Sequence, residues 1–390
     1  MHLNKYLAYK IIGMDLFKVY PLFDIEIEKA KDCYLWDKSG KKYLDMYGGH
    51  AVISIGHSQR NYVKAINAQV KKLGFYSNSI VIPIQKQLAY KLGELSGYNS
   101  YDLFLCNSGA EANENALKLA SFHTGKKKII AFEKAFHGRT SLAVAATDNP
   151  AVVAPVNETD NIIRIPLNDV QALNEAFTND DIAAVIFEPF LGVGGVFSPT
   201  KDFIQEVASL CQSKKALLIA DEVQSGYGRT GKFFAHQHFD VKPDIISIAK
   251  GMGNGFPIGG VLISPQIEAK FGMLGTTFGG NHLACAAGLA VLEVVDRKKL
   301  VRNAEKMGQY LKEKLQAILQ VKEIRGEGLM LGIELDKEVA PIRKRLLYDY
   351  AIFTGSSSNK HTIRLLPPLT IGKKQIDQFI EAFERVLKYN

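Results

Sequence analysis

From about Tyr101 the chain alternates short runs of apolar residues with stretches of helical spacing, without an internal repeat. The runs are Asp102–Cys106, Lys128–Phe132, Ile162–Ile165, Ala183–Glu188, Ala216–Asp221, Asp244–Ala249 and Gly260–Ser264. Between several of them apolar residues recur every three or four positions, as in Ala110–Ser121 and Phe203–Gln212. A strand without polar alternation has to be buried on both faces, which predicts a mostly parallel sheet covered by helices. The architecture expected is therefore α/β in layers.

The flanks follow other rules. Residues 20–50 carry short alternating runs around Cys33–Trp36 and Lys42–Met46, with a turn signal at Ser39-Gly40. After about residue 290 come two long helical patterns, the run Met330–Leu335, a short helix, the run Thr362–Leu366 and a last helix from about Lys373. This reads as a large domain over 65–285 and a smaller α+β domain over 286–390, which the segment 1–64 joins. With 390 residues, 47% of them hydrophobic and 23% charged, the chain is globular and neither disordered nor collagen-like. Its charge of +8 would suit nucleic acid or small anionic substrates equally, but the charges are dispersed, which favours solvated faces, and no nucleic-acid partner is expected.

Four cysteines, Cys33, Cys106, Cys211 and Cys285, show no CxxC spacing and fit a reducing compartment. No stretch approaches the roughly 20 apolar residues of a membrane span. The first arginine is Arg60, which is unlike a transit peptide. A cytoplasmic protein without membrane partners is expected. The residues before Met14 read as an appended arm, with Met14 as an alternative start.

Three motifs mimic other functions. Gly226-Tyr-Gly-Arg-Thr-Gly231-Lys232 fits a phosphate-loop spacing, but Phe233-Phe234 follows where a Ser or Thr and a helix are needed. Gly251-Met-Gly253-Asn-Gly255 resembles a dinucleotide loop, yet Phe256-Pro257 closes it where a helix should open. His236 and His238 lack a nearby third ligand, so no metal site is expected.

More telling are polar residues that end apolar runs, the usual ligand crevice of open α/β sheets. Asp102–Cys106 leads into Asn107-Ser108-Gly109-Ala110-Glu111. Ser108 is an ordinary helix cap when taken alone, but Gly109 also lets backbone N–H groups approach an anion. Asp221 and Lys250 each close a largely apolar run, 29 residues apart. A buried carboxylate needs cations or donors around it, and a buried lysine can attack carbonyls as a neutral amine. Pyridoxal phosphate asks for this combination of an amine for its aldehyde, an acid for its ring nitrogen and a helix start for its phosphate. Phe136 can stack on the ring, and Arg139 has the planar guanidinium suited to a substrate carboxylate.

These segments are similar to the class III pyridoxal-phosphate aminotransferases, in particular the acetylornithine and ornithine aminotransferase branch. The likeness runs from about Tyr20 to the C-terminus. It rests on Asn107-Ser-Gly-Ala-Glu-Ala-Asn-Glu114, Phe136-His-Gly-Arg-Thr140, Asp221-Glu-Val-Gln-Ser-Gly-Tyr-Gly-Arg-Thr-Gly231, Lys250 with its glycine loop, and Gly275-Thr-Thr-Phe-Gly-Gly-Asn281. The resemblance implies a fold-type-I transferase like aspartate aminotransferase, with a mostly parallel seven-stranded sheet in the large domain and a smaller α+β domain.

By the same resemblance, Lys250 binds the cofactor's aldehyde and shuttles the proton. Asp221 holds the ring nitrogen and Gln224 the phenolic oxygen. Phe136 and Val223 cover the ring faces, while Ser108, Gly109 and Ala110 bind the phosphate. Thr277 matches a threonine that completes the neighbouring subunit's phosphate site, which implies a homodimer with shared sites. Arg139 matches the holder of the distal carboxylate, and Arg364 the arginine for the α-carboxylate of glutamate.

Gly49, in Tyr47-Gly-Gly-His-Ala51, stands where ornithine enzymes carry a tyrosine. Its small size leaves room for an N-acyl group, although a turn would equally explain a glycine. The implied reaction moves the terminal amine of an N-acylated ornithine, acetylated or succinylated, to 2-oxoglutarate in arginine biosynthesis. Ornithine δ-aminotransferase is the alternative, followed by other ω-amine donors such as 4-aminobutyrate or lysine. A binding protein that uses Gly226–Lys232 is the rival from another class.

Two departures stand out. Val193 replaces the glutamate that normally neutralises the glutamate-binding arginine, so another acid or a bound anion is expected to balance Arg364. His282 replaces a usual proline.

Overall fold

The computed structural model describes residues 16–388, so Met14 lies outside the described residues. Strands β1 (Ile27–Lys31), β2 (Tyr34–Asp37) and β3 (Lys42–Asp45) precede the central run of β4 (Asp102–Cys106), β5 (Lys128–Phe132), β6 (Ile162–Ile165), β7 (Ile182–Phe187), β8 (Leu217–Asp221), β9 (Ile245–Ile248) and β10 (Gly259–Ile263). Then follow β11 (Val321–Glu327), β12 (Met330–Leu335), β13 (Ile352–Phe353) and β14 (Thr362–Leu365).

The central strands form one seven-stranded sheet in the order β4-β10-β9-β8-β7-β5-β6. All its pairings are parallel except the two made by β10. The absence of polar alternation has the expected cause. In β8, Leu217 and Ile219 pack into one core layer, while Leu218 and Ala220 pack into the layer on the opposite face. Helix Gly109–Thr124 covers the first face with Ala112, Ala116, Leu117 and Ala120. Helix Lys201–Ser213 covers the second with Phe203, Ile204 and Val207. Each fully buried Leu, Ile or Phe here contributes about 1.5–3 kcal/mol.

Helix Gly109–Thr124 starts and stops where its sequence signals lie. Ser108 Oγ accepts from Glu111 N at 3.2 Å, and Gly125, left-handed at φ 71°, ends it with its N–H on Ser121 O. The helix expected after residue 290 begins earlier and spans His282–Arg297, because Asn281 caps it through a bond to Ala284 N of 2.9 Å. His282 thus occupies the first helical position, where no backbone N–H partner is needed. This explains why a proline would serve equally there.

The N-terminal strands share a sheet with a strand of the C-terminal part, since β3 runs parallel to β13 in the order β1-β2-β3-β13. A third sheet, β11-β12-β14, is antiparallel and carries Arg364 opposite Gly332. The last helix, Lys373–Lys388, buries Ile376, Phe379, Ile380, Phe383 and Leu387 along one stripe.

Candidate active site

β10 is antiparallel to both β4 and β9, so β4 runs in the same direction as β8 and β9. The carboxyl ends of these three strands therefore meet at one edge of the sheet, and the segments after them enclose a cavity of about 350 Å³. It is bordered by Asp221, Val223 and Gln224 after β8, Lys250 after β9, and Ser108, Gly109 and Ala110 after β4. Phe136 and Arg139 close one side. Gly49, Thr277 and Arg364 are not among the residues that border it. A larger cavity of about 840 Å³, near His123, Lys215 and Asp244, contains none of the expected site residues.

Asp221 is 4% exposed, and three donors surround its carboxylate. Oδ2 accepts from Asn113 Nδ2 and lies against His137 Nδ1, both at 2.7 Å, and Oδ1 accepts from Val223 N at 3.0 Å. Asn113 is itself fixed, giving its other N–H to His137 O and accepting from Ser247 Oγ at 2.5 Å. Sequence reasoning missed Asn113, His137 and Ser247. Their signal was present, since Asn113 interrupts the apolar face of its helix and Ser247 interrupts the apolar strand Ile-Ile-Ser-Ile.

Lys250 adopts a left-handed backbone at φ 45°, a conformation that costs an L-residue about 1–2 kcal/mol. Strain of this kind concentrates at functional sites. Its amine has no hydrogen-bond or ion-pair partner among the described residues. Burial lowers its pKa, opposed by the carboxylates of Asp221 and Glu188 and assisted by Arg364. A larger share of neutral amine follows, the form that attacks a carbonyl. Glu188 accepts from Phe136 N and Gly192 N, and burial pushes it up to about 7.

The phosphate end is shaped by close packing. A Cβ on Gly109 would stand 2.5 Å from Val223 Cγ1, and one on Gly138 would stand 2.8 Å from Ala110 Cβ. The first turn of the helix keeps N–H groups free for an anion. Together with the isolated amine of Lys250, the buried carboxylate of Asp221 and the flanking Phe136 and Val223, this donor set fits pyridoxal phosphate.

Arg364 sits among neutral groups. No carboxylate lies within ion-pair distance of it among the described residues; its partners are neutral. Nη1 donates to Gly192 O at 2.9 Å and Gln224 Oε1 at 3.4 Å, Nη2 to Tyr47 Oη at 3.2 Å, and Nε to Ser356 O. Carbonyl dipoles and a phenol surround the guanidinium where another acid or a bound anion was expected, and Tyr47 and Glu188 oppose the lowering of its pKa by burial. Gly49 lies in a left-handed turn at φ 55°, and a Cβ there would meet nothing within 4 Å. Its neighbours Tyr47 and His50, missed in the sequence, are the ones that reach toward Arg364.

The motif residues that mimic other functions are absorbed structurally. His236 is fully buried between Glu222 and Tyr98, with Nδ1 2.8 Å from Glu222 Oε1 and Nε2 2.6 Å from Tyr98 Oη. Arg229, in the glycine-rich stretch, is buried and donates to the carbonyls of Leu329 and Pro367.

Known proteins resemble this chain over nearly its whole length. The family described as Aminotransferase class-III matches residues 18–387. An acetylornithine aminotransferase of Bacillus subtilis (strain 168) is 43% identical over 382 residues, 96% of this chain and 98% of that protein. One from Lactococcus lactis subsp. lactis is 40% identical over 380 residues, 96% of this chain and 100% of that protein. Among solved structures, an ornithine aminotransferase of Toxoplasma gondii ME49 superimposes with a TM-score of 0.90 at 28% identity, covering 100% of both chains. An acetylornithine aminotransferase of Elizabethkingia anophelis gives 0.84 at 30% identity, covering 99% of this chain and 98% of that one.

Proposed function

Because the chain belongs to the class-III aminotransferase family, we propose that it moves the terminal amino group of N-acetylornithine to 2-oxoglutarate, with pyridoxal phosphate as cofactor. The observation that carries this reading is the 43% identity, over nearly the full length of both chains, to an acetylornithine aminotransferase. The pathway it would serve is arginine biosynthesis. Free ornithine is the second reading, favoured by the similarity to ornithine aminotransferase structures. The open space at Gly49 favours the acylated donor.

When bound, pyridoxal phosphate supplies an electrophilic carbonyl and a ring that takes up electrons from the substrate carbon. Lys250 Nζ would hold that carbonyl and afterwards carry the proton to and from the substrate carbon. Asp221 would face the ring nitrogen, with Asn113 and His137 orienting its carboxylate. The helix start at Ser108, Gly109 and Ala110 would take the phosphate. Gln224 would face the phenolic oxygen, and Phe136 and Val223 would exclude water from the two ring faces. Arg139, exposed at the cavity mouth, would take the distal carboxylate, and Arg364 the α-carboxylate of glutamate.

A homodimer with shared sites belongs to this reading. Thr277 is exposed in the loop 275–281, where Phe278 packs on Phe75 with ring centroids 5.3 Å apart. Phe75, Tyr76, Val81 and Phe278 are 42%, 55%, 76% and 59% exposed, and apolar patches of this kind mark association surfaces. The joining of β3 to β13 supports a large domain over 65–285 and a small domain made of 286–390 with the N-terminal segment. Among the described residues no helix is long and apolar enough to cross a membrane. The four free, buried cysteines support a cytoplasmic setting.

The test is the visible absorbance of the cofactor-loaded protein, titrated separately with N-acetylornithine, N-succinylornithine, ornithine and 4-aminobutyrate. Loss of the yellow colour at the lowest concentration with N-acetylornithine supports the reading. Preferential response to free ornithine replaces it with the second one. A protein that stays colourless with added cofactor, or keeps its colour after Lys250→Ala, overturns the site.

A further inference from the structure

Arg364 can donate five hydrogens and accept none. Its bonds to Ser356 O, Gly192 O, Gln224 Oε1 and Tyr47 Oη leave it oriented but without a counter-charge at contact distance. Of these partners only Tyr47 belongs to the N-terminal part of the chain, 317 residues away in sequence. Its ring is held in place by Gly355, where an added Cβ would stand 2.3 Å from Cε2 of Tyr47. The guanidinium also lies 5.7 Å from the centre of that ring.

The Tyr47 hydroxyl has a second partner, His50 Nδ1, at 2.6 Å. Since Arg364 only donates, the tyrosine oxygen must accept from it. The arrangement that satisfies every group then sends the tyrosine proton to His50 Nδ1, which requires a neutral imidazole with its own proton on Nε2. Burial, Arg364 and Lys250 all lower the pKa of His50, which keeps it neutral. The backbone is committed to this placement. His50 and Ala51 are left-handed at φ 66° and 65°, a conformation unfavourable for both residue types. Asp45 holds the turn through Tyr47 N and Gly48 N. The turn also presents His50 O to Gln224 Nε2 at 3.3 Å.

We propose that Tyr47, aimed by His50, is the positioning residue for Arg364, a neutral hydroxyl that stands in for the acid missing at Val193. A salt bridge would have to break before Arg364 met a substrate carboxylate; a phenol oxygen only has to share its donor. Arg364 is thus held ready for the α-carboxylate of glutamate or 2-oxoglutarate at all times. This rests on the reading of Arg364 given under the proposed function.

The experiment compares the two half-reactions of the cofactor-loaded enzyme, glutamate in one and N-acetylornithine in the other, by single-turnover absorbance. Tyr47→Phe and His50→Leu should each raise the half-saturating glutamate concentration about tenfold, the effect of losing one hydrogen bond to a charged group. The N-acetylornithine half-reaction should stay within about twofold, because its carboxylate is not held by Arg364. His50→Gln, whose amide oxygen can still accept the tyrosine proton, should remain close to the unmodified enzyme. Arg364→Gln serves as the reference. If it weakens glutamate while Tyr47→Phe does not, the positioning role is wrong and the reading of Arg364 stands. Equal weakening of both half-reactions in Tyr47→Phe and His50→Leu also overturns the proposal, by showing a general disturbance of the site. If Arg364→Gln leaves glutamate unaffected, the reading of Arg364 fails and the proposal fails with it.

Discussion

Gly109→Ala adds one methyl group at the tightest wall of the cofactor cavity. The new Cβ would stand 2.5 Å from Val223 Cγ1 and 3.1 Å from Cγ2. Carbon atoms in contact settle at about 3.5–4.0 Å, so Val223 has to withdraw by roughly 1 Å. Its backbone N–H is tied to Asp221 Oδ1 at 3.0 Å, and the open direction is the cavity. The side chain expected to cover one ring face would then intrude on the ring. Overpacking of this kind costs about 1–3 kcal/mol, or roughly 5- to 150-fold in affinity.

The helix itself is not harmed by the change. Gly109 does not have a positive φ, and alanine is the better helix former by up to about 1 kcal/mol. The expected result is therefore weaker cofactor binding, with little change in the stability of the cofactor-free protein. Titrating cofactor into apoprotein measures the first, and urea unfolding of the apoprotein measures the second. Gly109→Ala combined with Val223→Ala removes the colliding methyl groups and should recover most of the affinity. An unchanged dissociation constant in Gly109→Ala, or no recovery in the double variant, would refute the packing argument and with it the place of Val223 against the ring.

Val193→Glu should place a carboxylate next to Gly192, whose carbonyl is 2.9 Å from Arg364 Nη1, and slow the glutamate half-reaction about tenfold by pairing with the guanidinium; unchanged or faster stopped-flow kinetics would count against it. Asn113→Ala removes one donor from the Asp221 carboxylate and should lower unfolding stability by about 1.5–3 kcal/mol in urea titrations, and a loss of only a few tenths would show that Asp221 finds another donor. Glu188 is raised from 4.5 to about 7 by burial, so the folded state binds its proton more tightly than the unfolded one and stability should fall as pH rises through that window. Glu188→Gln should remove that fall in unfolding experiments below and above neutrality, and an identical pH slope in both proteins would exclude Glu188 as its source.

Much of the site was legible along the chain because its signals are local. A charged residue that ends a largely apolar run has few innocent explanations, and Asp221 and Lys250 both do so. A serine followed by glycine at a strand end marks a helix start, and Ser108 caps one. The strands themselves were readable because burial on both faces removes the polar alternation, as in β7 and β8.

What stayed hidden depends on which distant segments meet. Asn113 reaches Asp221 across 108 residues and Tyr47 reaches Arg364 across 317, and although Asn113 interrupts an apolar face, nothing in either segment names the partner. Two of the four neutral partners of Arg364 are backbone carbonyls, which every residue possesses and no residue type announces. The left-handed turn at His50 and Ala51 runs against local preference and persists only because Asp45, Gly355 and Gln224 enclose it. By itself, the sequence determined the layers of the fold and the residue types that suit the cofactor, since periodicity and strand ends are short-range properties. The balance of charge around Arg364 and the orientation of Asp221 were decided only by tertiary structure, because hydrogen bonding depends on distance and direction in space rather than on order along the chain.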